Sequence, residues 1–279
     1  MVYKLSPFVK WAGGKTQLLH DLGLRMPKTF NKYYEPFIGG GALLFNMHPA
    51  HAVISDVNEQ LINVYRQLKD NAEAVISEVK ELDAVPCDKE RYLAVREDYN
   101  AKIQANELDP RCAALMIWVN KHCFNGLYRV NGKGFFNVPY NNRVKGSSID
   151  EENLRNISAY LRDNNVDIRL MDFAEALHDV SAGDFVYLDS PYVPVSDTAS
   201  FTDYTRDGFT LEDHRRLAGV FRELTEMGVK AMLSNHNVPL VHELYKDFII
   251  DESEVKRFIN SNGSKRMGEE VIITNFYPE

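Results

Sequence analysis

Residues 33 to 56 constrain the fold of this chain more than any other stretch. YYEPF (33–37) reads as a short buried strand, Gly39, Gly40 and Gly41 as a tight turn, and Ala42, Leu43, Leu44 and Phe45 as the start of an apolar helix. A second strand, AVIS, ends at Asp56. Strand, glycine turn, helix and strand, with an acid about 20 positions after the first strand, is the arrangement by which doubly wound α/β sheets hold a ribose-bearing ligand. Hydrophobic periodicity predicts further strands at VDIRL (166–170), DFVYL (184–188), KAMLSN (230–235) and VIITNF (271–276), and a helix between Leu211 and Met227. Residues 60–120 read as mainly helical, and 121–147 as a glycine- and asparagine-rich loop region with FFNVPY as its one strand-like piece. The expected fold is α/β: a Rossmann-like sheet built from residues 1–60 and 165–279, interrupted by a helical, loop-rich insertion at 61–164.

Composition narrows the class. With 279 residues, 44% hydrophobic and 26% charged, the chain is ordinary globular material. No apolar run approaches the roughly 18–20 residues that span a bilayer, and MVYKLSPFVKWAGGK lacks the apolar core of a secretory signal, so the expectation is a cytoplasmic protein without a membrane partner. Cys87, Cys112 and Cys123 have neither CxxC spacing nor an even count, which suggests neither disulfides nor a thiolate metal site; His122 beside Cys123 reads as ordinary. A net charge of −8 argues, alone, against a nucleic-acid partner. Its distribution argues otherwise. Ala113 to Ile149 holds no acid but contains Lys121, Arg129, Lys133, Arg143 and Lys145; acid-free stretches also hold Lys4, Lys10 and Lys15, and Lys256, Arg257, Lys265 and Arg266. Such segments form either a localised anionic-ligand footprint or solvated loops.

Among motifs, FVKWAGGKT lacks the glycine a phosphate loop needs five residues before Gly14, where Val9 stands. FIGGGA is not GxGxxG, which disfavours a nicotinamide-dependent dehydrogenase. The glycines could instead let the backbone approach a ligand without a pyrophosphate, such as S-adenosylmethionine, or form a plain turn. GDFVYLDSPY (183–192) is more informative, because a buried strand delivers Asp189 to the carboxyl edge of the sheet, where ligands bind. An adenine amino nitrogen is a poor nucleophile because its lone pair is delocalised into the ring. Asp189 and the carbonyl of Ser190 can accept its two hydrogens and stabilise the charge that develops on attack, while the Tyr192 ring, after Pro191, can stack on a flipped base. A surface turn is the plainer reading of Asp-Ser-Pro.

Together, FVKWAGGK, EPFIGGGA, the strand end at Asp56, FNGLYRVNGKGFFNVPY, DFVYLDSPY and SNHN, in this order, resemble the Dam-type, GATC-specific DNA adenine-N6 methyltransferases of the alpha group. The resemblance covers residues 7–275 and leaves three settings open: a restriction-modification system, a phage or an orphan regulatory role. It implies a Rossmann-like S-adenosylmethionine-dependent sheet with an inserted helical DNA-recognition domain, a monomer acting on double-stranded DNA, and no metal. By resemblance, Asp189, Ser190, Pro191 and Tyr192 are catalytic. Trp11, Lys15, Phe37, Gly39 and Asp189 would meet the cofactor, Asp56 its ribose, and Asp172 and Phe173 its adenosine ring. Arg129 would read guanine through two hydrogen bonds, Lys10 would touch the outer guanine, and Phe124 would insert beside the flipped adenine. Asn125, Leu127, Asn137, Pro139, Arg143, Lys265 and Arg266 would complete the DNA contacts. The family motif has proline where this chain has Ser190, so the ring that restrains Asp189 is lost while the carbonyl is kept. Two other readings remain: a DNA-binding homologue with weakened catalysis, and an RNA or small-molecule amino methyltransferase, against which the long 124–140 segment argues.

Overall fold

A computed structural model describes residues 5–142, 146–194, 208–256 and 267–278. Its centre is a seven-stranded sheet formed by β1 (Tyr33–Glu35), β2 (Ala52–Asp56), β3 (Asp167–Leu170), β4 (Phe185–Leu188), β5 (Lys230–His236), β6 (Ile249–Lys256) and β7 (Met267–Thr274). The strand order is β3-β2-β1-β4-β5-β7-β6. The first five strands are parallel, and β7 runs antiparallel to both β5 and β6. The order reverses between β1 and β4. That switch point opens a crevice outside the carboxyl ends of the strands, where Glu35, Phe37, Asp56 and Asp189 all fall.

Every residue of β1 and β4 is buried, as expected of parallel strands covered on both faces. The predicted strands are present within a few residues of their expected bounds. The hairpin partner β6 was not expected from sequence; it lies at the sheet edge and pairs only with β7.

The segment after β2 is helical. It comprises α3 (Glu59–Asp83), α4 (Lys89–Ala105), α5 (Pro110–His122) and α6 (Glu151–Asp163), after the shorter α1 (Leu19–Arg25) and α2 (Ala42–Met47). The four longer helices begin at Asn58, Asp88, Asp109 and Asp150, whose side-chain oxygens accept N–H groups of the first turn. Their apolar faces join Tyr33, Ile54, Phe185 and Tyr187 of the sheet in one core, and the expected boundary at residue 60 falls in the first turn of α3. On the opposite face α7 (Leu211–Glu226), opened by a Thr210–Asp213 capping box, and α8 (Pro239–Leu244) build a second core with Val186, Leu188 and Leu233.

Candidate active site

A cleft of about 1590 Å³ runs along the carboxyl edge of the sheet. At its middle, β4 delivers Asp189, whose Oδ1 lies 2.6 Å from Lys15 Nζ. The same oxygen accepts from Ser234 Oγ at 3.2 Å, and Tyr187 OH meets Ser234 Oγ at 2.9 Å. Both Asp189 contacts fall on Oδ1; Oδ2 carries none among the described residues. Burial pushes the Asp189 carboxyl above its ordinary range, and Lys15 opposes that shift. Lys15 Nζ also stands 4.5 Å from the centre of the Tyr192 ring. That ring is held from two sides: its hydroxyl donates to Glu270 Oε2 at 2.9 Å, and the His236 ring packs edge-on at 4.8 Å. Asn235 Oδ1 accepts the Val193 N–H at 2.9 Å, fastening the chain just past Asp-Ser-Pro-Tyr to the end of β5. Ser190 is buried, and its Oγ has no hydrogen-bond partner among the described residues.

Glu35, 3% exposed, also lines this part of the cleft and accepts from Tyr33 OH at 2.8 Å. Burial, helped by the nearby Asp189 charge, pushes its carboxyl up to about 8. At neutral pH Glu35 therefore carries a proton and adds no second negative charge beside Asp189.

Toward β2 and β3 the cleft is lined by Gly39, Asp56, Phe37, Asp172 and Phe173. Asp56 accepts the N–H groups of Asn58 (2.9 Å) and Gly39 (3.3 Å); burial nonetheless raises its carboxyl to about 6. Gly39 has φ +46, and a Cβ there would stand 2.8 Å from Trp11 Cδ1. The close approach that requires glycine is thus to the Trp11 ring, which in turn stacks on Tyr128 at 5.2 Å. Phe37 and Phe173 stack at 5.3 Å, and Asp172 is gripped by Arg216 at 2.7 Å to each oxygen.

A third group lies beyond the sheet. Asn120, buried at the end of α5, accepts the Lys10 N–H (2.9 Å) and donates to the carbonyls of Lys10 (2.9 Å) and Gly126 (3.0 Å). It welds the N-terminal segment to the loop carrying Phe124, Asn125 and Leu127; truncating it would strand those partners at roughly 1–3 kcal/mol each. Gly126, at φ +66, leaves no room for a Cβ, which would lie 2.5 Å from that of Lys10. The Phe124 N–H donates to Pro139 O at 2.7 Å, and its ring is 50% exposed. Arg129 Nε donates to Asn137 Oδ1 at 2.8 Å. The expected DNA contacts at Lys10, Phe124, Asn125, Leu127 and Pro139 are thereby tied together, and Arg129 to Asn137. Arg143, Lys265 and Arg266 lie outside the described residues.

The family model for D12 class N6 adenine-specific DNA methyltransferases matches residues 11–259. The chain belongs to this family. It is 45% identical over 277 residues to Type II methyltransferase M1.LlaDCHI of Lactococcus lactis subsp. cremoris, covering 98% of this chain and 96% of the relative. It is 41% identical to Type II methyltransferase M.MjaIII of Methanocaldococcus jannaschii (98% and 100% covered), and 32% identical to the DNA adenine methylase of Escherichia coli K12 (99% and 96%). The expected fold class and enzyme class of this adenine methyltransferase stand with these matches.

Sequence reasoning placed Asp189 and Tyr192 in this methyltransferase but missed the residues that hold their segment, Ser234, Asn235 and His236 from SNHN and Glu270 from β7, and the buried acid Glu35 of β1. The polar run closing an otherwise apolar β5 was the available signal. Among the described residues no cluster of three or more His, Cys, Asp or Glu side chains could hold a metal, and no helix is long and apolar enough to cross a membrane.

Proposed function

We propose that this methyltransferase transfers the methyl group of S-adenosylmethionine to N6 of an adenine flipped out of duplex DNA, with GATC as its target and a monomer as the acting unit. The sheet segments supply cofactor binding and chemistry, and residues 61–164 supply target recognition. The Type II names of two relatives support a place in a restriction-modification system. The observation that carries the reading is Asp189 at the switch point, with Oδ1 engaged by Lys15 and Ser234 and Oδ2 left for a substrate donor.

The cleft residues fit the cofactor. Asp56 offers a partly buried carboxylate to ribose hydroxyls, Phe37 and Phe173 an aromatic wall to a purine, Asp172 an acceptor to an exocyclic amine, and Trp11, Gly39 and Lys15 close the pocket toward Asp189. When bound, the cofactor supplies an electrophilic methyl carbon. The chain's own residues prepare the nucleophile. Asp189 Oδ2 and the Ser190 carbonyl accept the two N6 hydrogens, drawing the nitrogen toward tetrahedral geometry and balancing the positive charge that develops on it. Tyr192, preceded by Pro191 and anchored by Glu270 and His236, presents its face to the flipped base, and Phe124 fills the space the base leaves. Lys10, Asn125, Leu127, Arg129, Asn137 and Pro139 face the site sequence, with Arg129 reading guanine; Arg143, Lys265 and Arg266 contribute phosphate contacts.

Incubating a plasmid with the enzyme and cofactor, then digesting with methylation-sensitive and methylation-dependent nucleases, tests the reading. Protection at GATC is expected, with none from Asp189→Ala. Methyl incorporation into RNA alone, or none into DNA, would overturn it.

A further inference from the structure

Asp172 and Phe173 lie one residue past the end of β3, at the far end of the cleft, and both are held by a residue that no sequence motif singled out. Arg216, in the second turn of α7, sets its guanidinium against Asp172 with Nη1 to Oδ1 and Nη2 to Oδ2 each 2.7 Å. The same guanidinium lies 4.1 Å from the centre of the Phe173 ring. Its own placement is fixed: the capping box of Thr210 and Asp213 anchors the start of α7, and Asp213 Oδ1 lies 3.5 Å from Nη2. One side chain thus grips the carboxylate by a planar fork and the ring by its face, a combination lysine cannot reproduce.

The hydrogen-bond inventory of Asp172 gives this grip a consequence. A carboxylate has about four acceptor positions. Oδ1 takes Arg216 Nη1 and the Ala174 N–H (3.0 Å), and Oδ2 takes Arg216 Nη2. Among the described residues one position on Oδ2 remains, and the fork fixes its direction. Burial raises the Asp172 carboxyl, but Arg216 and the Ala174 N–H outweigh it and hold the group below the ordinary carboxylate range, ionised and unable to donate. A 6-amino group can donate to the remaining position; a 6-oxo group would set oxygen against carboxylate oxygen.

We infer that Arg216 is a positioning residue that makes this end of the cleft select a 6-aminopurine over a 6-oxopurine nucleoside, acting through Asp172. The inference rests on the reading of the cleft as the S-adenosylmethionine pocket. Without the fork, Asp172 can rotate and protonate, so both the attraction for the amine and the repulsion of the carbonyl weaken.

The test is calorimetric binding of S-adenosylhomocysteine and its 6-oxo analogue, S-inosylhomocysteine, to the intact wild type, Arg216→Met and Arg216→Lys. The wild type should prefer the amino compound. In Arg216→Met that preference should fall by about tenfold, the worth of one charged hydrogen bond, with the loss concentrated in the amino compound. Arg216→Lys keeps the charge without the fork and should also lose preference, which covers the case where the methionine variant folds poorly. A merely structural role would weaken both ligands equally, and that outcome overturns the inference, as does unchanged preference in both variants. Tighter binding of the amino compound by Arg216→Met would overturn it too, making the arginine a competitor for Asp172. If the wild type binds neither compound, the cofactor reading itself falls.

Discussion

Lys15 Nζ lies 2.6 Å from Asp189 Oδ1, so the last residue of the FVKWAGGK segment reaches the carboxylate of Asp-Ser-Pro-Tyr at the switch point of the sheet. Burial raises the Asp189 carboxyl and Lys15 partly reverses that. The acceptor role requires the ionised form, so turnover should fall on acidification at a pH above the usual carboxylate range. Lys15→Met removes the opposing charge; the acid limb of kcat/KM should then move to higher pH, and Lys15→Arg should restore it. An acid limb unchanged in Lys15→Met would assign Lys15 to cofactor contact alone.

Glu35 yields a stability prediction of defined sign. Its carboxyl ionises at its ordinary value of 4.5 in the unfolded chain and at about 8 when folded. Between those values the folded state binds more protons, so stability declines as pH rises through the window, and the full penalty is present above it. Glu35→Gln mimics the protonated side chain and keeps an acceptor for Tyr33 OH. Its Tm should exceed that of the wild type above pH 8 and match it near pH 4.5. Parallel Tm curves across that range would show that Glu35 is not held protonated.

Ser190 stands where the motif that the sequence resembles has proline, and its buried hydroxyl has no partner among the described residues. An unsatisfied buried hydroxyl costs roughly 1–3 kcal/mol. Ser190→Pro removes it and restrains Asp189 without touching the carbonyl, so turnover and Tm should stay equal or rise. A large drop in turnover with Tm maintained would mean that the loop needs a backbone angle proline cannot adopt.

The Tyr192–Glu270 bond calls for a double-mutant cycle. Tyr192→Phe keeps the stacking face and loses the tether; Glu270→Ala loses the tether from the other end. Each should reduce turnover several-fold and reduce the change in 2-aminopurine fluorescence at the target position, and the double variant should be no worse than the poorer single one. Additive losses would separate the two residues.

The sheet was legible because parallel strands buried on both faces write themselves as apolar runs, and the glycine turn marks where the first one ends. β6 was not, since its IIDESEVK sequence serves an edge strand with one partner and polar side chains. In the site, Asp56 and Asp189 could be read as acids at strand ends. The contacts of Asp189 with Lys15 and Ser234, of Tyr192 with Glu270, and of Asp172 with Arg216 join distant segments through tertiary packing, which no local pattern encodes. Asn120 is the clearest such case: placed just after the apolar run 112–119 of α5, it holds Lys10 against Gly126 and so decides where the recognition loop sits.

Arg129 and Asn137 were both expected to touch DNA, but the geometry divides their labour. Asn137 Oδ1 takes the Nε of Arg129 at 2.8 Å and the Asn137 carbonyl takes Nη2 at a long 3.5 Å, an orientation in which Nη1, and Nη2 on release of its long bond, would meet a guanine edge end-on. Arg129→Ala should therefore cost roughly 1–3 kcal/mol on GATC and relax discrimination at one base pair. Asn137→Ala frees the guanidinium to swing, so it should relax the same base pair to a smaller extent, and the two losses should not add. Lys265→Ala, in contrast, should weaken all sequences alike and lower the salt slope by about one, as loss of a phosphate contact does. Methylation rates on GATC and on each single-substitution site, across several salt concentrations, distinguish the three patterns. If Arg129→Ala slowed every site by the same factor, Arg129 would be an anchor and not a reader. If Asn137→Ala behaved like Lys265→Ala, the hydrogen bond between Asn137 and Arg129 would have no part in sequence choice.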